Sequence, residues 1–224
     1  MSGDVLIRVE DLVKIYDLGE VKVPALKGVS LTIDKGDFVM VTGRNGSGKS
    51  TFMHQLGLLD HPTSGTIHFN GTEVTHLHEK KRSRMRLRDL GYVFQEFALI
   101  GELTALENVL LPSMMIGNPK PGRKKAAELL EAVELKGKHD HLPSQLSGGE
   151  QQKVAIARSL INDPMVMFAD EPTANLDTVA AAEVLDVFKK LNEEQGRTIV
   201  MVTHEQEETE YGNRLIRLAD GELV

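Results

Sequence analysis

A chain of 224 residues, 41% of them hydrophobic, carries enough apolar material for one α/β core with a smaller subdomain. It has no cysteine, which excludes a disulfide framework and a thiolate metal site and is compatible with a reducing compartment. A formal charge of −7 argues against a protein that coats nucleic acid, and the best apolar run, Val109 to Ile116, is interrupted by Pro112 and Ser113 and is too short to cross a bilayer.

The opening Met1-Ser2-Gly3-Asp4 lacks a basic region followed by an apolar stretch, so no secretory leader is expected. The first third reads as strands. Val5, Ile7 and Val9 alternate with other residues, and Thr66-Ile67-His68-Phe69 runs into Asn70-Gly71, a favoured two-residue hairpin turn, which predicts an antiparallel sheet. Between them, Phe38-Val39-Met40-Val41 predicts a buried strand leading through a glycine-rich loop to a helix marked by Phe52, Leu56 and Leu59. Lys80, Lys81, Arg82, Arg84, Arg86 and Arg88 form a basic run that could hold phosphates but reads first as a solvated helix face. From about 102 to 162 the pattern turns helical, with Ala126, Leu129, Leu130 and Val133 on one buried face of an inserted subdomain. Met165 to Ala169 and Thr198 to Val202 then flank a helix buried through Val184, Val187, Phe188 and Leu191, an alternation that predicts a parallel sheet. The chain closes on Leu215 to Val224, with Asp220-Gly221 as a turn. His76 with His78, and His139 with His141, lack a third ligand nearby and read as exposed polar residues rather than a metal centre.

Gly43-Arg44-Asn45-Gly46-Ser47-Gly48-Lys49-Ser50 places two glycines four residues apart before Lys and Ser, between a strand and a helix. Glycines let backbone N–H groups wrap a phosphate without Cβ clashes, and the helix that follows adds its positive end. Lys49 is expected to reach the β- and γ-phosphates and the Ser50 hydroxyl to ligate Mg²⁺, with Thr51 next along the same helix. An ordinary glycine turn would explain neither Lys49 nor Ser50. Further on, the apolar run Met165 to Ala169 ends in Asp170-Glu171, and charges at the end of a buried strand need partners. Asp170 is expected to hold Mg²⁺, and Glu171 to accept a proton from attacking water near the γ-phosphate. The plainer alternative makes Glu171 a helix first-turn carboxylate.

A phosphate loop fits kinases, GTPases and ATPases alike. Leu146-Ser147-Gly148-Gly149-Glu150-Gln151-Gln152 resembles the signature of ATP-binding-cassette proteins, and the resemblance spans essentially the whole chain. It extends to Tyr16 as the adenine-stacking aromatic, Gln95 as the Q-loop, Ala174-Asn175-Leu176-Asp177 as the D-loop and His204 as the switch histidine, in the family's order. By themselves these residues have ordinary readings too: Ser147 with Glu150 matches a capping box, Asp177 could cap the next helix, Gln95 could end a strand and His204 could be a hydrogen-bonded structural residue.

The resemblance implies an α/β P-loop NTPase core of the RecA-like kind, with an N-terminal antiparallel β subdomain and an inserted α-helical subdomain. One nucleotide-binding domain would span 1–224, with 1–95 and 163–224 forming the core and β subdomain and about 96–162 the helical subdomain and signature helix. It implies ATP hydrolysis with Mg²⁺. Glu171, His204, Lys49 and Gln95 would be catalytic, Ser50, Gln95 and Asp170 would surround the metal, and Ser147, Gly148, Gly149, Glu150 and Asp177 would complete the nucleotide site of a second copy. The implied partners are that copy, in a head-to-tail dimer, and a membrane-spanning permease on the cytoplasmic face; no nucleic acid is expected. Phe94 to Ile100 and Leu103 to Val109 are similar to the lipoprotein-releasing and macrolide-exporting branch, with cell-division ATPases close by. Gly101-Glu102, Arg44-Asn45, Asn175 and Glu205 depart from the branch without removing a catalytic group, and leave a non-transporting regulatory ATPase as the alternative function. Phe97, Leu99 and Ile100 are expected on a surface loop where a membrane partner docks; the alternative buries them in the helical subdomain.

Overall fold

The computed structural model describes residues 4–116 and 122–224. Met1, Ser2 and Gly3, read above for a leader, lie outside the described residues, as does the 117–121 segment of the expected helical subdomain. Strands β1 (Val5–Asp17) and β2 (Lys22–Asp34) pair antiparallel, and β3 (Phe38–Thr42) runs into the phosphate loop and helix α1 (Lys49–Leu56). The hairpin β4 (Ser64–Phe69) and β5 (Thr72–Glu73) turns through Asn70 and Gly71, both at positive φ. Next come α2 (Glu79–Asp89), β6 (Leu90–Val93), α3 (Ala105–Met115), α4 (Gly122–Ala132) and α5 (Gly148–Leu160). The chain ends with β7 (Val166–Asp170), α6 (Thr178–Gln195), β8 (Thr198–Val202), β9 (Arg214–Ala219) and β10 (Glu222–Leu223).

Two sheets result, an antiparallel one in the order β2-β1-β4-β5 and a larger one in the order β10-β9-β3-β8-β7-β6. In the larger sheet β3, β6, β7, β8 and β9 run parallel, and β10 alone is antiparallel. Its central strands β3, β7 and β8 are apolar except at one end residue each, because both faces are covered. Successive side chains point to opposite faces, so Met40, Met167, Ala169, Ile199 and Met201 pack with α3, α5 and α6, while Val39, Val41, Phe168, Val200 and Val202 pack with α1 and the antiparallel sheet. The sheet therefore separates two cores, and its strand ends deliver the site.

The helical insertion follows the apolar spacing read above: Ala126, Leu130 and Val133 are buried and Leu129 packs beside them. Thr104 caps α3 in a reciprocal box with Glu107, and the backbone carbonyls of His139 and His141 receive the Leu106 and Ala105 amides. Lys153 of α5 reaches Glu183 of α6 at 2.9 Å and Glu134 at 3.4 Å, tying the insertion to the core.

Three expectations need correction. Leu59 lies beyond the end of α1 and is 44% exposed, because the helix stops at Leu56. The basic run is only partly a solvated face: Arg82 is 1% exposed and Arg86 half-buried, whereas Lys80, Lys81, Arg84 and Arg88 are exposed. Arg82 donates to the Asp60 carbonyl and lies 3.1 Å from His61 Nδ1, and Arg86 donates to the Leu58 carbonyl at 2.7 Å. Both satisfy backbone groups of the α1–β4 connection that would otherwise be buried unpaired. Finally, of the loop expected at the surface, Leu99 packs against the helical-side core, while Ile100 is 40% exposed. Phe97 and Ala98 sit at φ 57 and 50, and Arg158 donates to both of their carbonyls, which turns the chain inward at Leu99.

Candidate active site

The loop between β3 and α1 is shaped by close backbone approach. A Cβ on Gly43 would lie 2.2 Å from the Leu218 carbonyl oxygen, and one on Gly48 would lie 2.5 Å from that of Ala25, so both positions exclude larger residues. Gly48 begins α1 without any side-chain cap, leaving first-turn amides of the helix to donate to an outside anion. Lys49 is 5% exposed, and its ammonium folds back to donate to the carbonyls of Gly43 at 2.9 Å and Arg44 at 3.3 Å. The Ser47 hydroxyl is buried without a partner. A cleft of about 970 Å³ runs along Gly43 to Ser47, with His204 in its far wall.

Tyr16 of β1 stands beside this helix. Its hydroxyl donates to Asp60 at 3.1 Å and lies 3.5 Å from the Thr51 hydroxyl, and the Lys14 ammonium sits 4.8 Å from the ring centroid. Burial alone would push the Asp60 carboxyl up; Lys14, the His61 amide and Tyr16 outweigh it and hold it below its usual range.

At the end of β7, Asp170 Oδ1 is buried with no partner, and its Oδ2 lies 3.9 Å from His54 Nε2. Burial raises the Asp170 carboxyl above its ordinary value, with Glu171 adding to the rise, while His54, Lys49 and the Ser50 hydroxyl oppose it. An unpartnered carboxylate oxygen beside Ser50 and Lys49 suits a hard divalent cation. Glu171 has φ 45, a left-handed conformation fixed in part by its amide donating to the Val202 carbonyl at 3.0 Å. Its carboxylate lies 3.5 Å from His204 Nδ1, and His204 Nε2 lies 3.1 Å from Glu205. The imidazole is thus held between two carboxylates, in the wall of a cavity of about 460 Å³ that also includes Thr173, Thr203 and Glu208.

The structure therefore brings together the phosphate loop, Thr51, Tyr16, Asp170, Glu171 and His204. Ser147, Gly148, Gly149 and Glu150 line neither the cavity beside Glu171 nor the cleft along the loop. Ser147 caps α5 in a complete capping box: its hydroxyl accepts from the Glu150 amide at 3.2 Å, and Glu150 accepts from the Ser147 amide at 2.9 Å. The two glycines also have a packing cause, since a Cβ would approach Leu176 at 3.1 Å from Gly148 and Ala180 at 3.0 Å from Gly149. Asp177 caps α6, accepting from the Val179 and Ala180 amides. Gln95 is exposed just after β6, and its carbonyl accepts from Asn175 at 3.1 Å.

Sequence reasoning missed what Gln152 and Glu208 do. Gln152 is fully buried and donates to the carbonyls of Pro172 at 2.7 Å and Phe94 at 3.2 Å, linking the signature helix to the segments on either side of the site. Its place in the motif was visible, but its partners are distant in sequence. Glu208 sits in an acidic run that gives no hint of burial.

The sequence profile of the ABC transporter family matches residues 26–174. The lipoprotein-releasing system ATP-binding protein LolD of Aquifex aeolicus is 48% identical over 220 residues, covering 98% of this chain and 96% of that one. The macrolide export ATP-binding/permease protein MacB of Syntrophobacter fumaroxidans is 49% identical over 220 residues; the match covers 96% of this chain but 31% of that longer protein. Among solved structures, a dimeric post-hydrolysis state of an ATP-binding cassette bound to ADP and Pi superposes with a TM-score of 0.87 at 42% identity, covering 97% of this chain and 96% of that one. With the loop, strand ends and signature helix all in one α/β frame, the chain belongs to the ABC transporter family and is an ATP-binding cassette that hydrolyses ATP.

Proposed function

We propose that this cassette powers export or extraction of a substrate by a membrane-spanning partner, working peripherally on the cytoplasmic face as a head-to-tail dimer that closes on ATP. The observation that carries the reading is the pairing of Glu171 with His204 at 3.5 Å, at the carboxyl ends of two parallel strands and across from the phosphate loop. Lys49 exchanges its contacts with the Gly43 and Arg44 carbonyls for the β- and γ-phosphates, and the uncapped amides of α1 complete the cradle. Ser50, Asp170 and Gln95 would hold Mg²⁺, which when bound offsets phosphate charge. Glu171 accepts the proton of the attacking water, and His204 orients Glu171 and the γ-phosphate.

Ser147, Gly148, Gly149 and Glu150 line neither the cavity nor the cleft of their own chain, so they are free to face the nucleotide of a second copy, with Asp177 nearby. The dimeric relative supports that arrangement. The names LolD and MacB support a permease partner and an outward direction of transport. A helix of that partner would dock at the hollow of about 240 Å³ lined by Tyr92, Phe94, Ala98, Pro112 and Arg158, on the loop that follows Gln95. The test is Glu171→Gln, which keeps the side chain's shape and removes its proton-accepting charge. Phosphate release with Mg²⁺ and ATP should fall by roughly 10²- to 10⁴-fold while ATP binding persists. Turnover equal to the parent's would overturn the reading.

A further inference from the structure

Glu208 is a carboxylate buried to 8% exposure in the short 3-10 turn Glu207–Tyr211, with no cation paired to it among the described residues. A buried carboxylate needs hydrogen-bond donors. Two threonine hydroxyls supply them: Thr173 donates to one oxygen at 2.5 Å and Thr203 to the other. Thr173 lies two residues after Glu171 on the segment leaving β7, and Thr203 directly precedes His204 on the segment leaving β8. Both threonines are themselves buried, and the Thr203 hydroxyl also accepts from the Glu205 amide at 3.0 Å, which fixes its direction. The carboxylate therefore spans the two strand ends that carry the Glu171–His204 pair.

We propose that Glu208 is a positioning residue, which holds Glu171 and His204 at working distance by clamping Thr173 and Thr203. Charge-assisted bonds to both oxygens fix the carboxylate's plane, and that plane sets the separation of the two loops. Glu171 needs such a clamp because its backbone stands in the left-handed region, where an L residue relaxes unless its surroundings hold it. Glu208 lines the same cavity as Glu171 and His204 but does not line the cleft along Gly43 to Ser47, so its work bears on the chemical step more than on nucleotide capture. The inference rests on the proposed roles of Glu171 and His204.

Steady-state hydrolysis by the full chain with Mg²⁺ and ATP tests it, in parallel with thermal melting. Thr173→Val and Thr203→Val are near-isosteric and remove one donor each. Each should lower kcat on the order of tenfold while KM for ATP stays within about twofold, because small misplacements near reacting groups act on the chemical step. Thr173→Ser and Thr203→Ser restore the hydroxyl and should restore kcat. Glu208→Gln, whose amide can accept from one threonine and donate to the other, should retain most of the rate that Glu208→Leu loses. Unchanged kcat in folded valine variants would overturn the proposal. So would a fall in kcat, KM and melting temperature together without rescue by serine, or loss of folding in every variant, since either would make the clamp merely structural. Glu171→Gln run alongside separates the two layers: normal turnover there defeats the reading of the site, whereas its inactivity with normal valine variants defeats only the clamp.

Discussion

Two helix starts in this molecule, those of α1 and α5, are built in opposite ways. Helix α1 begins on Gly48, which makes no cap bond, and is surrounded by unpartnered polar atoms in Ser47 and Asp170. Helix α5 begins on Ser147 with both reciprocal cap bonds made and with Lys138 held 3.1 Å from the capping Glu150. The first leaves donors that its own chain does not satisfy. The second is a finished helix end, satisfied within its own chain, whose Ser147 is nonetheless exposed. The contrast separates a helix start that leaves donors for an outside anion from one whose donors are satisfied within the chain.

The comparison breaks most sharply at Ser147. Ser147→Asp keeps a good N-cap but adds a negative charge toward the opposite γ-phosphate, so in the Glu171→Gln background the ATP-dependent dimer should disappear from gel filtration while the melting temperature holds. A dimer that survives would reduce the signature to a helix cap. At the start of α1, Lys49→Ala should weaken ATP binding by roughly ten- to a hundredfold, the loss expected for charge-assisted hydrogen bonds of about 1.5–3 kcal/mol, measurable by fluorescent-nucleotide titration. Ser147→Ala should cost the closed end about 1 kcal/mol, or roughly 2–4 °C in melting for a chain of this size.

The smallest effects have opposite signs at the two ends. Burial raises the Asp170 carboxyl, so its protonated form favours the folded state below the ordinary value of 3.8, and that advantage is lost as pH rises through the raised folded value. Asp170→Asn should therefore melt slightly higher than the parent at neutral pH without nucleotide, and the gap should close in acid. The Ser147 amide and Lys138 hold Glu150 below its ordinary 4.5, so its contribution is present above that value and lost as pH falls through the lowered folded one. Glu150→Gln should melt slightly lower at neutral pH, with that gap also closing in acid. Melting curves at pH 7 and near pH 3 check both signs.

Much of this was legible in the sequence because it is local. The loop Gly43 to Ser50 carries glycines where a Cβ would clash, the apolar runs before Asp170 and His204 mark buried strands, and the alternation of apolar runs with helices set the parallel sheet. What stayed hidden depends on partners far along the chain. Strand β2 escapes a period-2 reading because Pro24 and Gly28 interrupt it and its register with β1 shifts several times. Arg82 looked solvated because nothing near it announces that the Asp60 carbonyl and His61 lie underneath. Leu99 turned inward through carbonyls held by Arg158, which is 59 residues away from it by number, 158 against 99. Glu208 is one acid among several until folding sets it between two threonines.

The division of each central strand between two cores bears on how such a gene can change length. Deleting Met167 from β7 would move Phe168 to the helical side and Ala169 to the other, and would draw Asp170 and Glu171 each one position back along the strand, onto the opposite face. One codon would thus misfit both cores and displace both carboxylates at once. The surface turn at Asn70-Gly71 faces no such double constraint, so length variation should be tolerated there and purged from the strands beneath the site.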